Sequence, residues 1–240
     1  MPEPQLAIFA VQGVGEVRPG DDLAALLADA LGGPDSCGLR DGDVLVVTSK
    51  VVAKAEGRLA ELRHDDVAAK LELVAAESTR VLRARGDLRI TETRHGFVCA
   101  NAGVDLSNVD DGYAVLLPVD PDRSARRLRA DLRRRLGVDV AVVVSDTFGR
   151  AWRRGVADVA IGCAGVAAVV DLRGTPDAMG RVLEATEVCV ADELASAADL
   201  VMGKATGVPA VVVRGADPSW RREGSVADEI IRPPGEDLFR

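Results

Sequence analysis

Apolar residues come in short β-branched runs separated by polar, glycine-bearing stretches, the pattern of buried strands between loops. Gln5–Val11, Asp43–Thr48, Tyr113–Pro118, Val182–Val190 and Val208–Val213 read as strands, and Val142–Val144 opens another. Leu88–Thr93 and Phe97–Ala100 alternate around Arg94-His95-Gly96, which predicts a hairpin with His95 exposed in its turn. Helical spacing runs over Asp65–Arg83, Ser124–Leu136 and Ala191–Met202. Asp21 or Asp22 caps a further helix through Leu31, and Asp120-Pro121-Asp122 is a helix-start signal. Val156–Val170 packs inside as helix or strand. Stretches 32–42, 171–180 and 203–207 are loops, and the tail 218–240 is irregular. Strands and helices interleave without a repeat. This predicts a mixed α/β (α+β) fold, with one domain over 1–240 that is open to a two-lobe division.

The stretch Ala141–Gly155 concentrates the candidate chemistry. Its strand runs into Ser145, Asp146 and Thr147, then Gly149, Arg150, Trp152, Arg153 and Arg154. A rigid strand ending in an acid and a hydroxyl suits hard-cation ligation, and guanidinium forks suit oxyanions. Asp105, in the polar loop Asn101–Asn108, is a second carboxylate near a strand end. Two such carboxylates can share Mg²⁺ or Mn²⁺ with phosphate oxygens. Lys50 and Lys54, just past the strand Asp43–Thr48, can neutralise phosphate. Each residue also has a plainer reading: turn or cap for the aspartates, solvated helix start for the lysines, basic surface for the arginines. Glu56-Gly57-Arg58 reads as a turn with a surface ion pair.

Several motifs are missing. There is no G-x-x-x-x-G-K-[ST]; Gly203-Lys204-Ala205-Thr206 lacks the first glycine. Gly13-Val14-Gly15 does not extend to G-x-G-x-x-G, so neither a P-loop nor a Rossmann core is expected. With only His64 and His95, a histidine zinc site or a Ser-His-Asp triad is poorly provided for, and no general base or other catalytic side chain stands out.

Composition narrows the partners. The net charge of −8 and 3% aromatics argue against nucleic-acid binding. Cys37, Cys99, Cys163 and Cys189 are too dispersed for zinc or a redox pair and read as reduced thiols of a cytoplasmic protein. The N-terminus lacks signal-peptide features. The longest uncharged apolar run, Val159–Val170, falls short of the roughly 20 residues that span a bilayer.

Five stretches in order resemble the coenzyme F420:L-glutamate ligase (F420-0:γ-glutamyl ligase) family. They are Gly42–Arg58, Asn101–Val109, Leu116–Arg129, Ser145–Gly155 and Ala191–Gly215. The resemblance implies a mixed α/β fold peculiar to that family, usually as a homodimer. It implies GTP, L-glutamate and coenzyme F420-0 as substrates, with two Mg²⁺ or Mn²⁺ ions and stimulation by K⁺. An acyl phosphate forms on F420-0, the glutamate amine displaces phosphate, and further γ-linked glutamates can follow. By position, Asp105 and Asp146 correspond to ligands of one metal and Thr147 to a ligand of the second. Ser49, Lys50, Lys54 and Asn108 correspond to GTP contacts. So do the loops Val14-Gly15-Glu16-Val17 and Gly203-Lys204-Ala205-Thr206-Gly207, the latter also serving the second metal. Here the chain departs from the family. Some members carry acidic residues in that late loop where this chain has Lys204, which removes the second metal's last side-chain ligand or leaves it to a backbone carbonyl. Arg150, Arg153 and Arg154 are chemical candidates for substrate carboxylate or phosphate. Longer relatives continue into a flavin-binding nitroreductase-like domain that is absent here, so no FMN is expected. Two rival readings use the same residues: a metal-dependent nucleotide or phosphate-ester hydrolase, and a non-catalytic deazaflavin-binding module.

Overall fold

The valine-rich runs form the middle of the molecule. The computed structural model describes residues 5–34 and 36–238, so Asp35 in the 32–42 loop and the last two tail residues lie outside the described residues. In chain order the elements are β1 (Ala7–Ala10), α1 (Leu23–Gly32), β2 (Val44–Thr48), α2 (Ser49–Ala55), β3 (Leu59–Glu61), α3 (Val67–Ala76) and β4 (Ser78–Arg85). Next come β5 (Leu88–Thr93), β6 (Val98–Ala100), β7 (Tyr113–Val115), α4 (Pro121–Leu136), β8 (Ala141–Gly149) and β9 (Val156–Ala164). The chain ends with β10 (Val170–Asp171), β11 (Glu187–Val188), α5 (Val190–Met202), β12 (Ala210–Arg214) and α6 (Val226–Glu229).

Five strands form the central sheet in the order β1-β12-β2-β8-β9. Only β2 and β8 run parallel; the other pairings are antiparallel. Val44–Val47, Val142–Val144 and Val211–Val213 are wholly buried, as continuous apolar runs in strands covered on both faces should be. Helix α4 packs on β8 and β9, with α1 against it, while α5 packs on β9, β12 and β1. A smaller sheet, β4-β5-β6, and the pair β3-β7 lie outside the central one. The mixed α/β expectation holds, and the sheet is neither a Rossmann nor a P-loop arrangement.

The sequence signals that fix element ends act as expected. Asp22 and Asp120 accept the Ala25 and Arg123 N–H groups, each at 2.9 Å, and so cap α1 and α4. Pro121 occupies the first turn of α4, and Gly137 at φ +71° ends it. Gly162 lets α4 approach β9. A Cβ there would lie 2.3 Å from the Pro121 carbonyl carbon and 2.7 Å from the Asp122 nitrogen, both backbone atoms. Gly162→Ala is therefore expected to cost roughly 1–3 kcal/mol through overpacking. It should lower the urea midpoint at constant m, and an unchanged midpoint would show that α4 is not seated there.

Four expectations need correction. The helix over 65–83 stops at Ala76, where Ser78 Oγ bonds back to the Val74 carbonyl at 2.5 Å, and residues 78–85 pair with β5 instead. The strand over 182–190 contracts to Glu187–Val188 because only that piece finds a partner, β10. His95 is half-buried rather than exposed: its Nε2 lies 2.9 Å from the Pro118 carbonyl oxygen, and its ring stacks on Phe97. Glu56 and Arg58 do not pair with each other. Glu56 accepts from Ser124, while Arg58 donates to Glu77 and to the Leu117 carbonyl. The open choice over 156–170 resolves as a strand, β9. The tail is irregular apart from α6 and two short 3₁₀ turns. The described cysteines are all free thiols.

Candidate active site

The parallel pair β2 and β8 brings Thr48 opposite Ser145, so the chain leaves both strands on the same side of the sheet. Clefts at the carboxyl ends of parallel strands are where α/β sheets take ligands. Helix α2 starts immediately after β2 and organises what surrounds it. Ser49 is buried against Asp146. Lys50 Nζ contacts Asp105 Oδ2 at 2.8 Å, the Ser107 carbonyl at 2.8 Å and Ser107 Oγ at 2.9 Å. Lys54, one helical turn on and itself buried, pairs with Glu16 at 2.5 Å. The two lysines thus tie two separate loops, 12–22 and 101–112, to one short helix.

Asp105 sits on the second of these loops, held by backbone bonds to Val115 and capped by the Ser107 N–H at 2.7 Å. Burial pushes its carboxyl up, but the Lys50 ammonium and the Ser107 donors outweigh this and hold it below the ordinary aspartate value. Asp146 behaves in the opposite way. It retains some surface, yet enough protein surrounds its carboxyl to push it up to about 7. The Thr147 N–H and Ser49 pull it down, while the negative charges of Asp158 and Asp105 add to the rise. The two aspartates named from sequence are therefore close enough to repel one another.

Two acidic residues were missed in sequence. Asp158 on β9 stands directly opposite Thr147 and is buried at 4% side-chain exposure. It accepts the Ser145 hydroxyl at 3.0 Å and the Thr147 hydroxyl at 2.6 Å. Asp199, in the last turn of α5, joins it through Lys204, whose Nζ lies 2.8 Å from Asp158 Oδ1 and 2.6 Å from Asp199 Oδ1. Burial works against the Lys204 charge, but the two carboxylates hold its pKa above the ordinary lysine value. A bulge in β9 beside Ser145 places these groups, with the Ala160 N–H diverted to Asp192 at 2.8 Å. The signal was present: Val-Ala-Asp-Val-Ala sets one acid in an otherwise apolar alternation.

The remaining candidates are more spread out. Gly203–Gly207 lies beside β2 because Thr48 N–H bonds the Pro209 carbonyl at 2.9 Å. In this loop Ala205 and Gly207 are exposed, and Thr206 bonds back to the Met202 carbonyl. In the first loop Val14 packs on the core, Val17 is buried and Gly15 is exposed. Asn108 is exposed at φ +53° just beyond Asp105. Arg150, Arg153 and Arg154 occupy the exposed turn at the tip of the β8–β9 hairpin, where Arg150 bonds the Arg154 carbonyl at 3.4 Å. Among the described residues, no hydrogen bond or ion pair joins them to the carboxylate–lysine cluster. Among the described residues, no group of three or more His, Cys, Asp or Glu side chains converges as a metal centre. No described helix is long and apolar enough to cross a membrane.

Sheet, carboxylates and lysines together define an α+β protein with a cluster of paired acids and lysines at the carboxyl ends of its two parallel strands. The profile of the F420-0:Gamma-glutamyl ligase family matches residues 13–215, and the chain belongs to that family. Similar curated proteins carry the name coenzyme F420:L-glutamate ligase. The one from Methanothermobacter thermautotrophicus is 43% identical, the match covering 98% of this chain and 99% of the relative. That from Methanopyrus kandleri is 47% identical over 99% and 98%, and that from Archaeoglobus fulgidus 42% over 98% and 97%.

Proposed function

We propose that this chain joins L-glutamate to coenzyme F420-0 at the expense of GTP. Family membership and the convergence of Asp105, Asp146 and Lys50 on α2 support this reading together. In the first step a carboxylate oxygen of F420-0 attacks the γ-phosphoryl of GTP, and the bond to GDP breaks. In the second, the glutamate nitrogen attacks the acyl carbon, the carbon–oxygen bond to phosphate breaks, and the nitrogen loses a proton. Lys50 and Lys54 supply positive charge toward the GTP phosphates, and Asn108 and the loops 14–17 and 203–207 surround the nucleotide.

Asp105 and Asp146 fit one divalent ion, Mg²⁺ or Mn²⁺. They are hard oxygen donors near enough for their charges to interact, and a site with two carboxylates leaves room for phosphate oxygens. Held there, such an ion would supply charge neutralisation on the phosphates. K⁺ stimulation and a homodimer belong to the same reading.

The test is mass spectrometry of F420-0 incubated with the protein, GTP, Mn²⁺ and glutamate. Glutamate-sized increments are expected. GTP hydrolysis without glutamate or F420-0 would favour a hydrolase instead, and F420-0 binding without GDP release a carrier. Lys50→Met, which removes three contacts to the Asp105 loop, is expected to raise the KM for GTP by roughly tenfold or more. A KM within twofold of wild type would take Lys50 out of the nucleotide site.

A further inference from the structure

We propose that the Lys204 ammonium is a built-in cation at Thr147, so that this chain takes one divalent ion into its site and not two. The inference rests on the proposed function only for the identity of the first ion's site.

Lys204 Nζ meets three oxygens from three elements: Thr147 Oγ1 at 2.8 Å on β8, Asp158 Oδ1 at 2.8 Å on β9 and Asp199 Oδ1 at 2.6 Å on α5. An ammonium has three N–H donors, and here all three have acceptors. The Thr147 hydroxyl spends its own proton on Asp158 Oδ1 and turns a lone pair to Nζ. Ser145 satisfies the other Asp158 oxygen. Gly203, at φ +59°, ends α5 and turns the chain so that residue 204 returns over Asp199.

Asp158 is a buried carboxylate that needs a compensating charge within the fold, and Lys204 provides it. The resemblance makes Thr147 the ligand of a second metal, and the structure disagrees. Mg²⁺ holds its oxygens at about 2.0–2.1 Å. The same oxygens are spread here around a nitrogen at 2.6–2.8 Å, and a second cation among them would be repelled by the first. The consequence is a fixed monovalent charge that stays with the protein through turnover.

The experiment counts bound Mn²⁺ by equilibrium dialysis with electron paramagnetic resonance of the free ion, with and without GDP. It compares wild type, Lys204→Gln, Lys204→Arg and Asp146→Asn, with folding checked by circular dichroism. The expected result is one ion per chain in wild type and Lys204→Arg, and two in Lys204→Gln. None in wild type but one in Lys204→Gln would sustain the Lys204 assignment and remove the Asp105–Asp146 ion. Two in wild type, an added ion in Lys204→Arg, or no gain in folded Lys204→Gln would each overturn it. If Lys204→Gln fails to fold without an added cation, rescue by Mn²⁺ but not by K⁺ counts in favour, and rescue by K⁺ or by neither counts against.

Discussion

Asp146→Asn is expected to lower ligation by at least about 10³-fold while making the metal-free protein more stable at neutral pH. The two effects have one cause. Burial, with Asp158 and Asp105 nearby, pushes the Asp146 carboxyl up to about 7. An aspartate in the unfolded chain titrates near 3.9. Between these values the folded state holds a proton that the unfolded state has lost, so stability falls as pH rises through the window. Above pH 7 the full penalty stands, up to about 4 kcal/mol. Asparagine keeps the shape and deletes the charge. Melts in EDTA should therefore show wild type losing ground to the variant from pH 5 to pH 8, and little difference near pH 4.

On the proposed function turnover moves the other way, because the charge that costs the fold stability is the one a phosphate-bound ion would use. Ligands bind such an ion only when deprotonated, so divalent affinity should rise through neutral pH in wild type. Should Asp146→Asn retain ligation within tenfold of wild type, the carboxylate is not in the catalytic machinery. Unchanged melting at pH 8 would instead deny that burial and its acidic neighbours raise the Asp146 carboxyl.

Much of this was readable in the chain because it depends on local rules. The β-branched run Val44–Val47 and the capped, proline-started α4 are written in adjacent residues. So is the i, i+4 spacing that sets Lys50 and Lys54 on one face. Family likeness carried Asp105 and Asp146 over 41 positions that no local rule connects. The failures have tertiary causes. Leu71, Val74, Ala75 and Val81 keep near-helical spacing past the end of α3, yet from Ser78 the neighbouring β5 offers a ladder, and packing overrides propensity. Asp158 and Asp199 acquire their role only through register and through Lys204, which pairing in the sheet decides.

Asp122→Ala carries the largest expected loss of stability, although in the sequence that residue is marked only as part of a helix start. Its carboxylate is buried at 5% exposure in the first turn of α4. Oδ1 accepts the Cys163 N–H at 2.8 Å and the Val226 N–H at 3.0 Å. Oδ2 accepts the Ser225 hydroxyl at 2.9 Å and the Ala227 N–H at 3.1 Å. One side chain thus joins α4, β9 and a tail segment about a hundred residues away. Alanine leaves three backbone donors and a hydroxyl without this acceptor in a region largely closed to water. Bonds to a charged acceptor are worth roughly 1.5–3 kcal/mol each and do not add fully, so a loss of at least about 4 kcal/mol is expected. Asp122→Asn, which keeps one oxygen, should lose less. Hydrogen exchange provides the sharper reading, because the Val226 and Ala227 amides should lose protection before those of Val142–Val144 in the central sheet. Equal loss everywhere would mean that the tail and the sheet open as one cooperative unit. A variant as stable as wild type would mean that these four contacts do not hold the tail at all.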